Sequence, residues 1–84
     1  MKYYVYIIKS KSYDSKTYVG WTNNLKKRLI AHNKGKGAKF TRGRKWKIIY
    51  YETLPTKKRA MQREYKLKKD RGLRSKIKKD FELK

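Results

Sequence analysis

Tyr3-Tyr4-Val5-Tyr6-Ile7-Ile8, followed by Thr17-Tyr18-Val19-Gly20-Trp21-Thr22, decides how this chain folds. Both segments are β-branched and aromatic, which suits a packed, pleated surface. The first is apolar on both alternating faces, and this predicts a strand covered on two sides. Lys9 to Lys16 (KSKSYDSK) is polar and turn-like, so the two strands read as an antiparallel hairpin. Side chains alternate across a strand. A register that brings Tyr6 near Tyr18 therefore puts both rings on one face, because both positions are even.

Outward from the hairpin, Thr22 or Asn23 is placed to cap a helix running to about His32 or Asn33. Gly35 and Gly37 stop it. Lys47 to Glu52 (KIIYYE) reads as a third strand. Thr56, after Pro55, is an N-cap for a second helix reaching about Asp70, with Gly72 as its C′ glycine. Leu73, Ile77 and Phe81 recur every fourth residue and predict a short third helix. The order β-β-α-β-α-α implies an α+β fold, a small three-stranded antiparallel sheet flanked by helices. With 84 residues the chain reads as one domain over 1–84, about 12 Å in radius of gyration.

Charge narrows the partner. Lys and Arg total 27 against 6 Asp and Glu, a net +21. Such a chain attracts polyanions, and nucleic acid is favoured because each neutralised phosphate releases condensed counterions. A membrane-surface helix needs a continuous apolar face. The most basic stretch, Lys34 to Lys47 (KGKGAKFTRGRKWK), is broken by glycines and carries seven basic residues, no acidic one and two aromatics. Lys34, Lys36, Lys39, Arg42 and Arg44 are the candidates for phosphate contact. Phe40 and Trp46 are the candidates for stacking on bases. No apolar run is long enough for a transmembrane helix. The chain has no cysteine and one histidine, which excludes disulfides, thiolate zinc sites and multi-histidine centres. Met1-Lys2-Tyr3-Tyr4 runs straight into the strand pattern, so no signal peptide is expected and a cytoplasmic location is the expectation, with bacterial nucleoid association compatible with it.

Three polar residues stand where packing alone would not put them. With Ala60 at zero, Leu67 falls at about 340°, Glu64 at about 40°, Met61 at about 100° and Tyr65 at about 140° around the second helix. Glu64 thus lies inside the apolar stripe. The other acids, Asp14, Glu52, Asp70, Asp80 and Glu82, read as loop or element-end residues. A carboxylate facing a core is costly unless it is paired or holds a metal. Lys68 is one turn away, so a simple ion pair and a functional acid both remain open. On the first helix Arg28 and His32 are an i,i+4 pair bordering the stripe of Leu25 and Leu29. A snorkelling Arg28 and a helix-end His32 are the plain alternative to chemistry. The eight tyrosines, by composition, read as packing.

Taken together these residues resemble the GIY-YIG nuclease superfamily, in its small stand-alone bacterial form. Tyr4-Val5-Tyr6 resembles the first half-motif and Tyr18-Val19-Gly20 the second. Arg28 in Asn24-Leu25-Lys26-Lys27-Arg28-Leu29, then His32, then Glu64 in Gln62-Arg63-Glu64-Tyr65 match the arginine, histidine and glutamate in order. The run GKGAKFTRGR resembles the stand-alone members further. Tyr4 replaces the leading glycine, Trp21 follows the second half-motif, and no asparagine follows Asn33.

The resemblance implies phosphodiester hydrolysis with one divalent ion, Mg²⁺ or Mn²⁺, and the catalytic residues Tyr6, Tyr18, Arg28, His32 and Glu64. Glu64 is then the metal ligand, a hard oxygen donor. Arg28 binds the phosphate through its planar fork. Tyr6 or Tyr18 takes a proton from the attacking water, with Tyr18 favoured and Tyr6 orienting it. A free phenol, with a pKa of about 10, is about one part in a thousand ionised at pH 7, so nearby cations must lower it. His32 orients water or relays the proton. The expectation is a metal-dependent DNA endonuclease, serving repair or recombination. The alternative is a non-catalytic basic domain binding DNA or RNA, motivated by the charge, the short chain and the missing asparagine. A nuclease that works only with a protein partner is a third reading. The sequence carries no signal for or against a homodimer.

Overall fold

The central strand of the sheet is the one that is apolar on both sides. In the computed structural model, which describes residues 2–13 and 15–83, β1 spans Tyr3–Ser10, β2 Thr17–Thr22 and β3 Trp46–Leu54. The sheet order is β2-β1-β3, and β1 is antiparallel to both neighbours. Val5, Tyr6, Ile7 and Ile8 are all buried because helices cover both faces. Helix α1 (Leu25–Asn33) packs on the face of Tyr6 and Ile8. Helices α2 (Lys57–Lys69) and α3 (Arg71–Glu82) pack on the face of Val5 and Ile7, where Ala60 and Leu67 are fully buried. Burying a leucine completely contributes about 1.5–3 kcal/mol. The Cα radius of gyration is 12.3 Å, and no helix among the described residues is long and apolar enough to cross a membrane.

A register shift between Ile7 and Ile8 gives β3 one extra residue: Ile7 opposes Tyr50, and Ile8 opposes Ile48. Such a bulge switches which face each later side chain joins. Trp46 and Ile48 join the α1 face; Ile49, Tyr50 and Leu54 join the α2 face.

Several sequence expectations are corrected at element ends. The cap of α1 is Asn24, not Thr22 or Asn23: its side chain accepts from Lys27 N at 3.0 Å. Thr22 instead accepts from Asn24 N at 3.1 Å and sets the turn before the helix. Thr56 caps α2 as expected, accepting from Arg59 N. Gly72 is not a C′ residue; it lies inside α3. Asp70 ends α2 and also caps α3, accepting from Leu73 N at 3.0 Å. One residue thus turns the chain, and no left-handed glycine is required there. A short 3₁₀ turn, η1 (Lys39–Thr41), interrupts the basic loop. Met61 and Tyr65 are exposed, so the buried stripe of α2 is narrower than the wheel implies.

Glu52 is not an element-end acid but an interior residue of β3. It accepts two hydrogen bonds from Arg63 Nε, at 2.9 and 3.1 Å, one from Arg63 Nη2 at 2.8 Å, and one from Tyr50 Oη at 2.5 Å. Arg63 holds the Glu52 carboxyl below its ordinary pKa, against the opposing effect of burial. This fork pins α2 to the sheet. Asp14 lies outside the described residues.

Candidate active site

The hairpin register determines which aromatic rings can meet. Tyr6 opposes Gly20, and Ile8 opposes Tyr18, so Tyr6 and Tyr18 are diagonal neighbours on the α1 face. Gly20 is required there: a Cβ would collide with the Tyr6 hydroxyl and lie 2.7 Å from its Cζ. The absence of a side chain on β2 makes the room into which the Tyr6 phenol points.

Helix α1 supplies the next two groups. Its only buried side chain is His32, at 1% exposure. His32 Nε2 lies 2.8 Å from Tyr6 Oη, and its Nδ1 lies 2.9 Å from Thr41 Oγ1. The ring also stands edge-on to Tyr18, with centroids 5.3 Å apart. Gly37 closes over it; a Cβ there would collide with Nδ1 and lie 2.7 Å from Cε1. Arg28, one turn earlier on α1, is half-buried and lines the same space.

Glu64 comes from the opposite face of the sheet, around the β2 edge. Its side chain is 21% exposed, and Lys68 Nζ lies 3.7 Å from Oε1. That separation is an ion pair without a hydrogen bond, so the carboxylate keeps free lone pairs. Tyr6, Tyr18, Arg28, His32 and Glu64 all line one cavity of about 230 Å³, together with Gly20, Trp21 and Gly37. Five residues from two strands and two helices therefore converge.

Burial sets the electrostatics of Tyr6. Burial pushes the Tyr6 phenol above its ordinary pKa, and the opposing pull of Arg28 does not cancel this. The expectation that local cations depress the tyrosine pKa is wrong for Tyr6, because desolvation outweighs them. Burial also pulls His32 below its ordinary value, and Arg28 adds to the effect. A histidine that stays neutral in the native state makes the unfolded state bind the extra proton below its ordinary pKa of 6.5. Stability is then fully present above that value and falls as pH drops below it. The chain has one histidine, so the slope belongs to His32. We expect the thermal midpoint to fall between about pH 7.5 and about pH 5.5, and a His32→Gln variant to lack that slope. Glu52, held below its ordinary value by Arg63, does not blur this window. Equal slopes in both proteins would remove His32 as the cause.

The basic loop divides. Lys34, Lys36, Lys39 and Arg42 are exposed, and Arg44 is half-buried. Phe40 is half-exposed and stacks on Tyr18, with centroids 6.1 Å apart and planes 20° apart. Trp46 does not fit the expected role. It is 1% exposed, packs in the core with Tyr6 and Ile8, and its indole Nε1 donates to Thr41 O at 2.9 Å. A ring buried this deeply cannot stack on a base. Thr41 is the residue the sequence reading missed. A threonine between Phe40 and Arg42 has no periodicity to mark it, and only the fold brings it to His32.

A divalent ion can be judged against these donors. Among the described residues no group of three or more His, Cys, Asp or Glu could hold a metal. Both His32 nitrogens are already engaged. Among the described residues Glu64 is the one carboxylate on the cavity. This donor set fits a hard cation such as Mg²⁺, which takes one or two carboxylates and keeps its waters. It does not fit zinc, which needs three or four protein ligands.

Residues 2–78 match the family model described as the GIY-YIG catalytic domain. The chain is 55% identical over 67 residues to a UPF0213 protein of Clostridium perfringens, covering 79% of this chain and 70% of that one. It is 46% identical over 68 residues to a UPF0213 protein of Staphylococcus haemolyticus, covering 80% of each. A solution NMR structure of a UPF0213 protein from Bacillus halodurans is similar, with a TM-score of 0.54 and 37% identity over 92% of this chain and 82% of that one.

Proposed function

We propose, from the premise that the chain belongs to the GIY-YIG family of nucleases, that it is a divalent-metal-dependent endonuclease hydrolysing phosphodiester bonds in DNA. The observation that carries this reading is the convergence of Tyr6, Tyr18, Arg28, His32 and Glu64 on one cavity. Repair and recombination are the processes that use such cleavage, and the cytoplasm is where the substrate lies.

Each side chain has a role suited to its surroundings. Arg28 receives the scissile phosphate, its guanidinium offsetting charge that grows as the bond breaks. Tyr18, acting in its phenolate form, takes the proton of the attacking water. Tyr6 serves this step less well, since burial disfavours its ionised form. The Tyr6–His32 contact holds the pair in place behind Tyr18. Glu64 would hold the divalent ion through the carboxylate it turns to the cavity. When bound, that ion polarises the phosphate and stabilises the leaving oxygen. Lys34, Lys36, Lys39, Arg42 and Arg44 grip neighbouring phosphates, which positions the strand without reading its sequence.

The test is cleavage of several DNA forms by the pure protein with Mg²⁺ or Mn²⁺. Cleavage should disappear with a chelator and return when the ion is restored. Binding should persist throughout, since the loop grips phosphate without the ion. Cleavage that ignores the chelator would overturn the metal dependence. Binding without cleavage, with a log–log salt slope of about −5 for ~6 phosphates, would instead establish a binding domain.

A further inference from the structure

Thr41 is fully buried and joins the basic loop to the cavity. Its hydroxyl has one proton and two lone pairs. Oγ1 lies 2.9 Å from Ala38 O, which can only accept, so the proton is committed there. Ala38 N donates to Oγ1 at 3.2 Å. His32 Nδ1, 2.9 Å away, therefore meets an oxygen that can only accept from it, and must itself carry a hydrogen. In a neutral imidazole this leaves Nε2 as the acceptor. Tyr6 Oη, at 2.8 Å, is then the donor to Nε2. The turn that holds Thr41 is itself fixed, because Trp46 Nε1 donates to the Thr41 carbonyl at 2.9 Å. The adjacent Phe40 stacks on Tyr18.

We propose that Thr41 is a positioning residue of the site: its hydroxyl fixes the tautomer of His32 and, through it, the direction of the hydrogen bond from Tyr6. Thr41 touches neither substrate nor reacting atoms. It acts by keeping Nε2 unprotonated, so that the Tyr6 hydroxyl gives its one hydrogen to His32 and not to Tyr18. The 3₁₀ turn is thus one small element with two contacts, Phe40 on one phenol and Thr41 on the histidine behind the other. The catalytic consequence rests on the nuclease reading above; the tautomer does not.

The experiment is nitrogen NMR of the imidazole, read in the full chain at neutral pH. The single histidine makes the signals unambiguous. Wild type should show Nδ1 protonated and Nε2 bare. Thr41→Ser, which keeps the hydroxyl, should show the same pattern. Thr41→Val, similar in shape but without the acceptor, should shift the population toward protonated Nε2. Cleavage should fall about 10- to 100-fold in Thr41→Val and be rescued in Thr41→Ser. Protonated Nε2 in wild type would overturn the proposal, and this measurement needs no variant to fold. An unchanged tautomer in a folded Thr41→Val would overturn it as well. So would a changed tautomer with an unchanged cleavage rate. A wild type that cleaves nothing, while Thr41→Val changes tautomer, supports the positioning of His32 and overturns only the nuclease reading.

Discussion

Glu64→Gln is expected to lose cleavage by about 10³-fold while the protein stays folded and bound to DNA. A bound ion supplies several kcal/mol of transition-state charge stabilisation, and each 1.4 kcal/mol is about tenfold in rate. Glutamine keeps the shape and one carbonyl oxygen but loses the charge that retains a divalent cation. The fold should tolerate the change. Glu64 meets Lys68 at 3.7 Å on a helix surface, and an i,i+4 pair of this kind contributes only about 0.3–0.5 kcal/mol. Removing one acid also raises the net charge from +21, so phosphate binding should be unchanged or slightly tighter. The measurement is single-turnover cleavage beside a binding isotherm in the same buffer. Equal cleavage by wild type and variant would mean that Glu64 holds no essential ion. Parallel loss of cleavage and binding would mean that its role is structural.

The second large effect is on stability. Trp46→Ala should cost about 3–5 kcal/mol, the range for truncating a large buried aromatic. Small domains have only about 5–15 kcal/mol in all, and self-repulsion in a +21 chain places this one where such a loss matters. The cost has two parts. The ring fills space against Tyr6, Ile8 and Phe40. Its Nε1 also satisfies the Thr41 carbonyl, and an orphaned buried acceptor costs about 1–3 kcal/mol. Trp46→Phe separates the parts, since it restores most of the volume and none of the hydrogen bond. Denaturant unfolding followed by circular dichroism gives both values. At temperatures where Trp46→Phe is folded, it should bind DNA as wild type does. A Trp46→Ala loss under about 1 kcal/mol would contradict the burial that defines this core.

The one tryptophan the sequence assigned to nucleic acid is thus a core residue, and the reason is non-local. Lys45-Trp46-Lys47 reads as a polar loop because both neighbours are charged. The strand begins there because Trp46 pairs with Ser10 of β1, and Asn33, at the end of α1, bonds both its backbone groups: Oδ1 accepts from its N at 2.6 Å, and Nδ2 donates to its O at 3.3 Å. Glu52 shows the same limit. Its partner Arg63 is eleven positions away on another element, and no local pattern joins them.

What the chain's own periodicity determined is the set of elements and the faces they bury. A two-residue period places Tyr6 and Tyr18 on one side of the hairpin once the register is even, as it is with Tyr6 opposite Gly20. A 3.6-residue period stacks Arg28 under His32 and sets Glu64 near the buried line of Ala60 and Leu67. Those are short-range consequences of backbone geometry. Tertiary structure alone decided that Glu64 reaches the β2 edge to share a cavity with groups from the other face. It alone brought Thr41 to His32, and the bulge opposite Ile7 and Ile8 put Trp46 on the α1 face. These depend on contacts between residues far apart in the chain, where no repeating local pattern carries the information.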